Sequence, residues 1–259
     1  MNVKQILALY DEEQRMSIEY PGLRREATEH AVRHVDLLGT DSVIVYSNLD
    51  ATNADRVIQD QLSHFEKLGH DFEWKYYEHD SPPDLKHRLA SSGFEVGEAE
   101  SIVALDLQYI PETLTSPAIH DVRRISDVKQ LDEVMIIQKE VFQTDEDSLT
   151  RRQIEHEMQT VPDSISVYVV YVDEQLVASA WIRFTPASQF ASLWAGATLA
   201  DFRRKGIYTA LLAVRAQEAL KRGKRFLTVD AGPMSLPILK KLGFQLLTVS
   251  YPCQWRAIR

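Results

Sequence analysis

ATLADFRRKGIYTALLAVRAQEALKRGKRF, Ala197 to Phe226, is the stretch whose reading decides the fold. Three consecutive cations, Arg203, Arg204 and Lys205, precede Gly206. From there Ile207, Ala210, Leu211 and Val214 follow the i, i+3, i+4, i+7 spacing of a helix with one apolar face. Cations at a helix start oppose the macrodipole, which favours acids there. A bound anion removes the conflict. The unpaired N–H groups of a helix N-terminus, a glycine that admits close approach and adjacent cations together make a site for a phosphate or diphosphate.

Outside this stretch the balance is reversed. The 259 residues carry a formal net charge of −9, yet between Phe202 and Arg225 there are eight Lys or Arg residues against one acid, Glu218. Positive charge confined to one segment suits a small anionic ligand and disfavours nucleic acid or an anionic membrane as partner. The opening MNVKQILALYDEEQRM turns acidic before any signal-peptide core forms, and no uncharged apolar run of about 18 residues exists, so no membrane span and a cytoplasmic location are expected. The single cysteine, Cys253, reads as a buried thiol. Neither G-x-x-x-x-G-K-[ST] nor G-x-G-x-x-G occurs in the chain, which excludes those two phosphate-binding patterns.

Working outward, the first forty residues read as helical, with LRREATEHAVRHVDLLG closed by Gly39. SVIVYSN (42–48), FEWKYYE (72–78) and SIVALDL (101–107) read as strands, with helices in ADRVIQDQLSHFEKLG, closed by Gly69, and in DLKHRLASSGF. YIPETLTSPAI (109–119) reads as a linker. After it come a strand near HDVRRIS, helices in VKQLDEVMIIQKEVF and SLTRRQIEHEM, and a hairpin SVYVVYVDEQLVASAWIRF turning at Asp173-Glu174. SLWAGATL, FLTVDA and QLLTVSYPCQWRA read as further strands, and SLPILKKLGF as a short helix. This mixture gives an α+β or α/β class with a mixed sheet. At an offset of 150 residues Asp80, Pro83, Leu89, Gly93 and Phe94 fall on Asp230, Pro233, Leu239, Gly243 and Phe244, each set following a strand. The spacing points to an internal structural repeat.

The hexamer Arg203-Arg204-Lys205-Gly206-Ile207-Tyr208 resembles the R/Q-x-x-G-x-G/A loop of the GCN5-related N-acetyltransferases (GNAT), and the order strand, loop, long helix, strand and KKLGF around it matches that family. The resemblance covers about residues 118–259. It implies a GNAT acetyltransferase domain there, a degenerate GNAT-like domain over 1–110 and a linker at 111–117. It also implies a mainly antiparallel sheet whose fourth and fifth strands splay to admit acetyl-CoA. The backbone of Ala197, Thr198 and Leu199 would then pair with the pantetheine arm, and Arg203, Arg204, Lys205, Gly206, Ile207, Tyr208 and Thr209 would surround the diphosphate. Tyr208 stands where the family has a small residue. In the first half ATNADRVIQ takes the place of FRRKGIYTA, without a glycine and with one cation. One cofactor site per chain follows.

The activity implied is transfer of an acetyl group to a primary amine of a small molecule or peptide, without a metal. Such transfer needs donors for the developing oxyanion and a proton source for the departing thiolate. The tyrosine that many members place five residues before the phenylalanine of the GF pair is Leu239 here, so the acid stays open among Tyr251, Ser235 and Asp230. Each also has a structural reading: a half-buried strand residue, a helix N-cap and a turn or cap residue. The missing tyrosine keeps a second reading open, an acyl-CoA-binding regulatory protein without turnover. Asp145-Glu146-Asp147 would attract a cationic amine or cap a helix. His30 and His34 have zinc-like spacing but no HExxH, and read as surface residues of a helix. A homodimer is compatible with this reading.

Overall fold

The computed structural model describes residues 1–36, 42–143 and 147–257. In chain order the elements are α1 (Val3–Tyr10), a π-helical turn (Asp11–Met16), β1 (Leu23–Ala27), β2 (Ala31–Asp36), β3 (Ser42–Ser47), α2 (Ala54–Leu68), β4 (Phe72–Tyr77), α3 (Leu85–Ser91), β5 (Glu95–Val96) and β6 (Glu100–Asp106). There follow α4 (Glu112–Thr115), β7 (Asp121–Arg124), α5 (Leu131–Phe142), α6 (Asp147–Thr160), β8 (Ile165–Val172), β9 (Gln175–Phe184), β10 (Phe190–Thr198), α7 (Ile207–Lys221), β11 (Phe226–Ala231), α8 (Leu236–Lys241) and β12 (Gln245–Trp255). By packing, the chain divides into two units, one of 1–103, 231–237 and 246–259, the other of 104–230 and 238–245. Among the described residues no helix is long and apolar enough to cross a membrane.

In the first unit the strand order is β1-β2-β3-β4-β12, with β5 on β12; β3 and β4 are parallel and the other pairs antiparallel. Ala54, Val57, Ile58, Gln61 and Phe65 of α2 are buried at helical spacing, and Phe65 stacks on Phe72 of β4 with centroids 4.1 Å apart. Gly69 ends α2 in the left-handed region, as its position predicts.

The helix expected over residues 23–39 is instead the hairpin β1–β2. Helix-favouring Arg, Glu and Ala residues are overridden there by cross-strand pairing, and Thr28 sets the turn by accepting from the Ala31 N–H and donating to its carbonyl. Gly39, the expected cap, lies outside the described residues. His34 is therefore a strand residue and fully buried, not a surface one. Its Nε2 lies 3.0 Å from the Ile18 carbonyl, while Nδ1 is buried without a partner among the described residues. The fit is to a neutral ring that donates through Nε2.

Burial lowers the His34 pKa from its ordinary value, against the opposing bond to Ile18. A depressed imidazole keeps its contribution above the unfolded-state value of about 6.5 and loses it as pH falls below that, by up to about 1.4 kcal/mol per pH unit. Unfolding followed at pH 7 and pH 5 is expected to show this loss, and His34→Gln to flatten it. An unchanged slope in the variant would show that His34 is not the group responsible.

The second unit has strand order β7-β8-β9-β10-β11, parallel only between β10 and β11. Asp173 and Glu174, with φ of 48° and 65°, make the two-residue turn between β8 and β9. The repeat is visible in each unit separately. Leu89 and Leu239 are both fully buried, Gly93 and Gly243 have φ of 94° and 91°, and Phe94 and Phe244 each donate through N–H to the carbonyl of the preceding repeat leucine. The segment expected as a linker carries the short α4, whose Leu114 carbonyl accepts from Gln217 of α7.

Candidate functional site

The site begins where β10 loses one neighbour. Phe190, Ala191 and Ser192 are in register with Phe226, Leu227 and Thr228 of β11, and the pairing stops there. On its other side β10 stays on β9 through a bulge between Trp194 and Ala197. Ala195 takes φ of 48° inside that bulge, a costly conformation for a residue with a Cβ. Buried Gln138 of α5 holds it, its Nε2 donating to the Ala195 carbonyl at 2.9 Å and to Ser179 Oγ at 2.8 Å. The edge of β10 that faced β11 is thus open beyond Ser192, with the backbone bent and fixed.

The loop that follows folds for equally local reasons. Leu199 N–H returns to the Val177 carbonyl, and Arg203 Nε donates to the Thr198 carbonyl at 3.1 Å. Arg204 and Gly206 are both left-handed, with φ of 62° and 82°. His120 Nε2 meets the Lys205 carbonyl at 2.8 Å. Among the described residues, the six N–H groups from Arg204 to Thr209 have no acceptor. Such a run of oriented donors is an anion-binding concavity.

The eight cations divide by use. Arg222 pairs with Glu218, which also accepts from Ser166 and Tyr168; Arg225 pairs with Asp106, and Lys224 donates to the Thr185 and Ser188 carbonyls. Arg203, Arg204 and Lys205 are exposed and, among the described residues, pair with no acid. Lys205 Nζ instead lies over the Phe202 ring, 4.9 Å from its centroid. The unneutralised charge is therefore gathered at the free amides.

Ala197 is fully buried, Thr198 and Leu199 nearly so, and Ile207 and Thr209 flank Tyr208 in the first turn of α7. The Tyr208 ring edge stands 3.0 Å from where a Cβ on Gly196 would be. A Cβ at 196 would press on that ring, which would have to give by a few tenths of an ångström.

Of the three candidate acids, Tyr251 and Ser235 belong to the first unit and Asp230 to the second. Tyr251, on β12 of the first unit, donates to Glu78 at 3.2 Å beneath Lys86, whose Nζ is 3.8 Å from the ring centroid. Ser235, also of the first unit, donates to the Gly232 carbonyl at 3.3 Å. Asp230 is on β11 of the second unit and is already engaged in an interaction. Asp145 and Glu146 lie outside the described residues, as does the side chain of Asp147.

The first unit shows how the same scaffold closes such a site. At the start of α2, Asp50 Oδ1 accepts from the Thr52 N–H at 2.7 Å, the Asn53 N–H at 3.0 Å and the Thr52 hydroxyl at 2.6 Å. These bonds, the Thr52 hydroxyl first, hold the Asp50 pKa below its usual range. A carboxylate of the chain occupies the amides that α7 leaves free. Pairing of β3 with β4 likewise stops at Ile44, but there buried Arg15 donates through Nε to the Val45 carbonyl at 3.0 Å and lies 3.8 Å from the Tyr77 ring centroid.

Two features escaped sequence reasoning: Gln138, and the buried Arg215 of α7. The second was visible in outline, since Arg215 continues the apolar row Ile207, Leu211 at i+4 spacing.

Residues 131–244 match the family model described as acetyltransferase (GNAT) family. Among solved structures, the chain is similar to a GCN5-related N-acetyltransferase from Kribbella flavida, at 15% identity and a TM-score of 0.71 over 97% of this chain and 95% of that one. It is also similar to a functionally unknown conserved protein from Staphylococcus epidermidis, at 13% identity and a TM-score of 0.70 over 94% and 97%. A tandem GNAT protein from the clavulanic acid biosynthesis pathway aligns at 14% identity and a TM-score of 0.60 over 100% and 89%. No curated protein sequence matches the chain. Residues 131–244 thus carry the match to the acetyltransferase (GNAT) family model, and over nearly its whole length the chain has the fold of GNAT structures, a tandem GNAT protein among them.

Proposed function

We propose that the chain is an N-acetyltransferase that takes acetyl-CoA at the start of α7 and transfers the acetyl group to a primary amine of a small molecule or peptide. The observation that carries the reading is the run of six amides from Arg204 to Thr209 with no acceptor among the described residues, beside three cations that pair with no acid among them, where the edge of β10 opens. The amides and Arg203, Arg204 and Lys205 would hold the diphosphate, and the open edge at Ala197–Leu199 the pantetheine arm. Acetyl-CoA, when bound, supplies the activated acyl group. Gln138 keeps the bulge in shape and so sets the direction of the β10 amides that would polarise the thioester carbonyl. In this reading 118–259 is the working domain and 1–110 a copy that has lost its cofactor site.

Calorimetric titration with acetyl-CoA and free-thiol release over a panel of amines test the proposal. Arg203→Glu is expected to weaken acetyl-CoA binding about tenfold, the scale of one charge-assisted hydrogen bond. Unchanged affinity would remove the diphosphate from this loop. Leu239 at the family's tyrosine position supports a second reading, acyl-CoA binding without turnover, which predicts binding but no thiol release with any amine.

A further inference from the structure

The segment that leads into β7 is fastened to α7 at three points. Just past the end of the helix, Arg225 donates to Asp106 at 3.1 Å and to Gln108 at 2.9 Å, and its carbonyl accepts from the Leu107 N–H at 2.8 Å. Within the helix, Gln217 Nε2 donates to the Leu114 and Ser116 carbonyls at 3.0 Å and 3.1 Å, beside the fully buried Leu114 side chain. At the helix start, His120 Nε2 meets the Lys205 carbonyl at 2.8 Å. Residues 106–120 therefore run along α7 from its end to its beginning. This brace has little slack. From Gly206 to Gln217 the helix rises about 16 Å at 1.5 Å per residue, while the four residues from Ser116 to His120 reach at most about 14 Å. Side chains close the difference, and the His120 ring is delivered to the loop.

A carbonyl only accepts, so His120 Nε2 carries the proton in this contact. The Lys205 carbonyl and the Gly206 N–H belong to one planar trans peptide and point in opposite directions. Holding the carbonyl toward His120 aims that N–H away from it, as a donor for whatever lies before α7. The same peptide sits next to Arg204, whose left-handed φ of 62° is costly for a residue with a Cβ and persists only where its surroundings fix it. Arg203 Nε, on the Thr198 carbonyl, fixes where the loop leaves β10. His120 fixes how the amides after it face.

We infer, resting on the proposed acetyl-CoA reading, that His120 is a positioning residue for the cofactor: the brace brings its ring to the Lys205 carbonyl, and that hydrogen bond presets the Gly206 amide and its neighbours for the diphosphate. His120 touches no reacting atom and acts through the loop. A ligand then finds its donors already oriented, which removes the cost of ordering a loose turn on binding. The stretch that reads as a linker is thereby part of the frame of the cofactor site.

Two ligands that share an arm and differ in the diphosphate test this in the full chain. CoA has both parts, and pantetheine has the arm alone. His120→Phe keeps a ring and loses the donor, and is expected to weaken CoA about tenfold by titration calorimetry, the scale of one hydrogen bond. Pantetheine affinity, read by competition against CoA, should stay within about twofold. His120→Gln restores an N–H close to the Nε2 position and should return CoA to within about threefold of the unaltered chain. Gln217→Met frees the middle fastening and should weaken CoA about threefold, with little further loss when combined with His120→Phe, because both act through one contact. Should His120→Phe fail to fold, Gln217→Met decides with the same pair of ligands. CoA affinity that is unchanged in His120→Phe, or not restored by His120→Gln, overturns the inference and leaves the proposed function standing. An equal loss for CoA and pantetheine also overturns it, since the site would then have lost its shape as a whole. CoA that does not bind the unaltered chain overturns the proposed function, and this inference with it.

Discussion

Arg15→Ala is expected to destabilise the first unit by about 3–5 kcal/mol, the cost of leaving one partner of a buried ion pair uncompensated. Arg15 is 1% exposed and sits in the π-helical turn, a rare geometry often found at special sites. Its Nη2 donates to Asp80 at 2.6 Å, Nη1 to Asp11 at 2.7 Å and Nε to the Val45 carbonyl, with the Tyr77 ring beneath the guanidinium. Burial opposes the charge, but Asp80, Tyr77 and Asp11 outweigh it and hold the Arg15 pKa above its ordinary value. Remove the side chain and, among the described residues, Asp80 keeps the Tyr77 N–H at 3.0 Å. The void adds to the loss. Amide exchange in β3 and β4 reads the effect in the unit that carries the lesion, which a single unfolding midpoint of a two-unit chain does not. Arg15→Met with Asp80→Asn removes both charges and keeps an acceptor for Tyr77, and is expected to recover more than half of the loss. A loss below about 1 kcal/mol in Arg15→Ala would mean that water hydrates Asp80 there and that Arg15 does not plug the gap.

That plug explains how two related units diverge in use. In the first, Asp50 accepts from the Thr52 and Asn53 amides before α2, and Arg15 donates to the Val45 carbonyl beyond the last β3–β4 pair. In the second, the corresponding amides and strand edge stay free. A site can be lost by supplying its own ligands from within the chain. In the proposed function a ligand meets the exposed cations and unmet donors of the open form.

Much of this was legible where the signal is local. Gly69 stops α2, Asp173-Glu174 turns the β8–β9 hairpin, and the FRRKGIY run forms the turn its charges suggest. The repeat was readable because its glycines answer a backbone need, the left-handed residue after α3 and α8. What escaped is long-range. Residues 23–36 carry helix-favouring composition, and only the partners β1, β2 and β3 provide for one another makes them strands. Pairing of β12 with β4 joins residues more than 170 apart in sequence, as in Ser250 with Tyr77. Arg15 reads as an ordinary cation because burial is a property of the fold, and Arg215 differs only in continuing the i+4 row of Ile207 and Leu211.

Gly206→Val is expected to reduce acetyl-CoA affinity about thirtyfold to a hundredfold, equivalent to about 2–3 kcal/mol, while the fold survives. Gly206 stands at φ of 82° immediately before α7. A β-branched residue there costs about 1–2 kcal/mol through backbone strain alone. An added Cβ makes only an ordinary contact, 3.6 Å from His120 Nε2. The strain is relieved by rotating the turn, and the amides from Arg204 to Thr209 turn with it. Donors aimed at one diphosphate tolerate little misdirection, because hydrogen bonds weaken steeply with angle. Gly223 supplies the control at the other end of the same helix: its φ is 72°, nothing lies within 4 Å of an added Cβ, and it presents no free amide run. Gly223→Val should therefore cost similar stability and leave acetyl-CoA affinity unchanged. Titration calorimetry on both variants, with melting curves to match their stabilities, separates strain from recognition. Equal affinities in the two would show that the amides before α7 do not hold the cofactor.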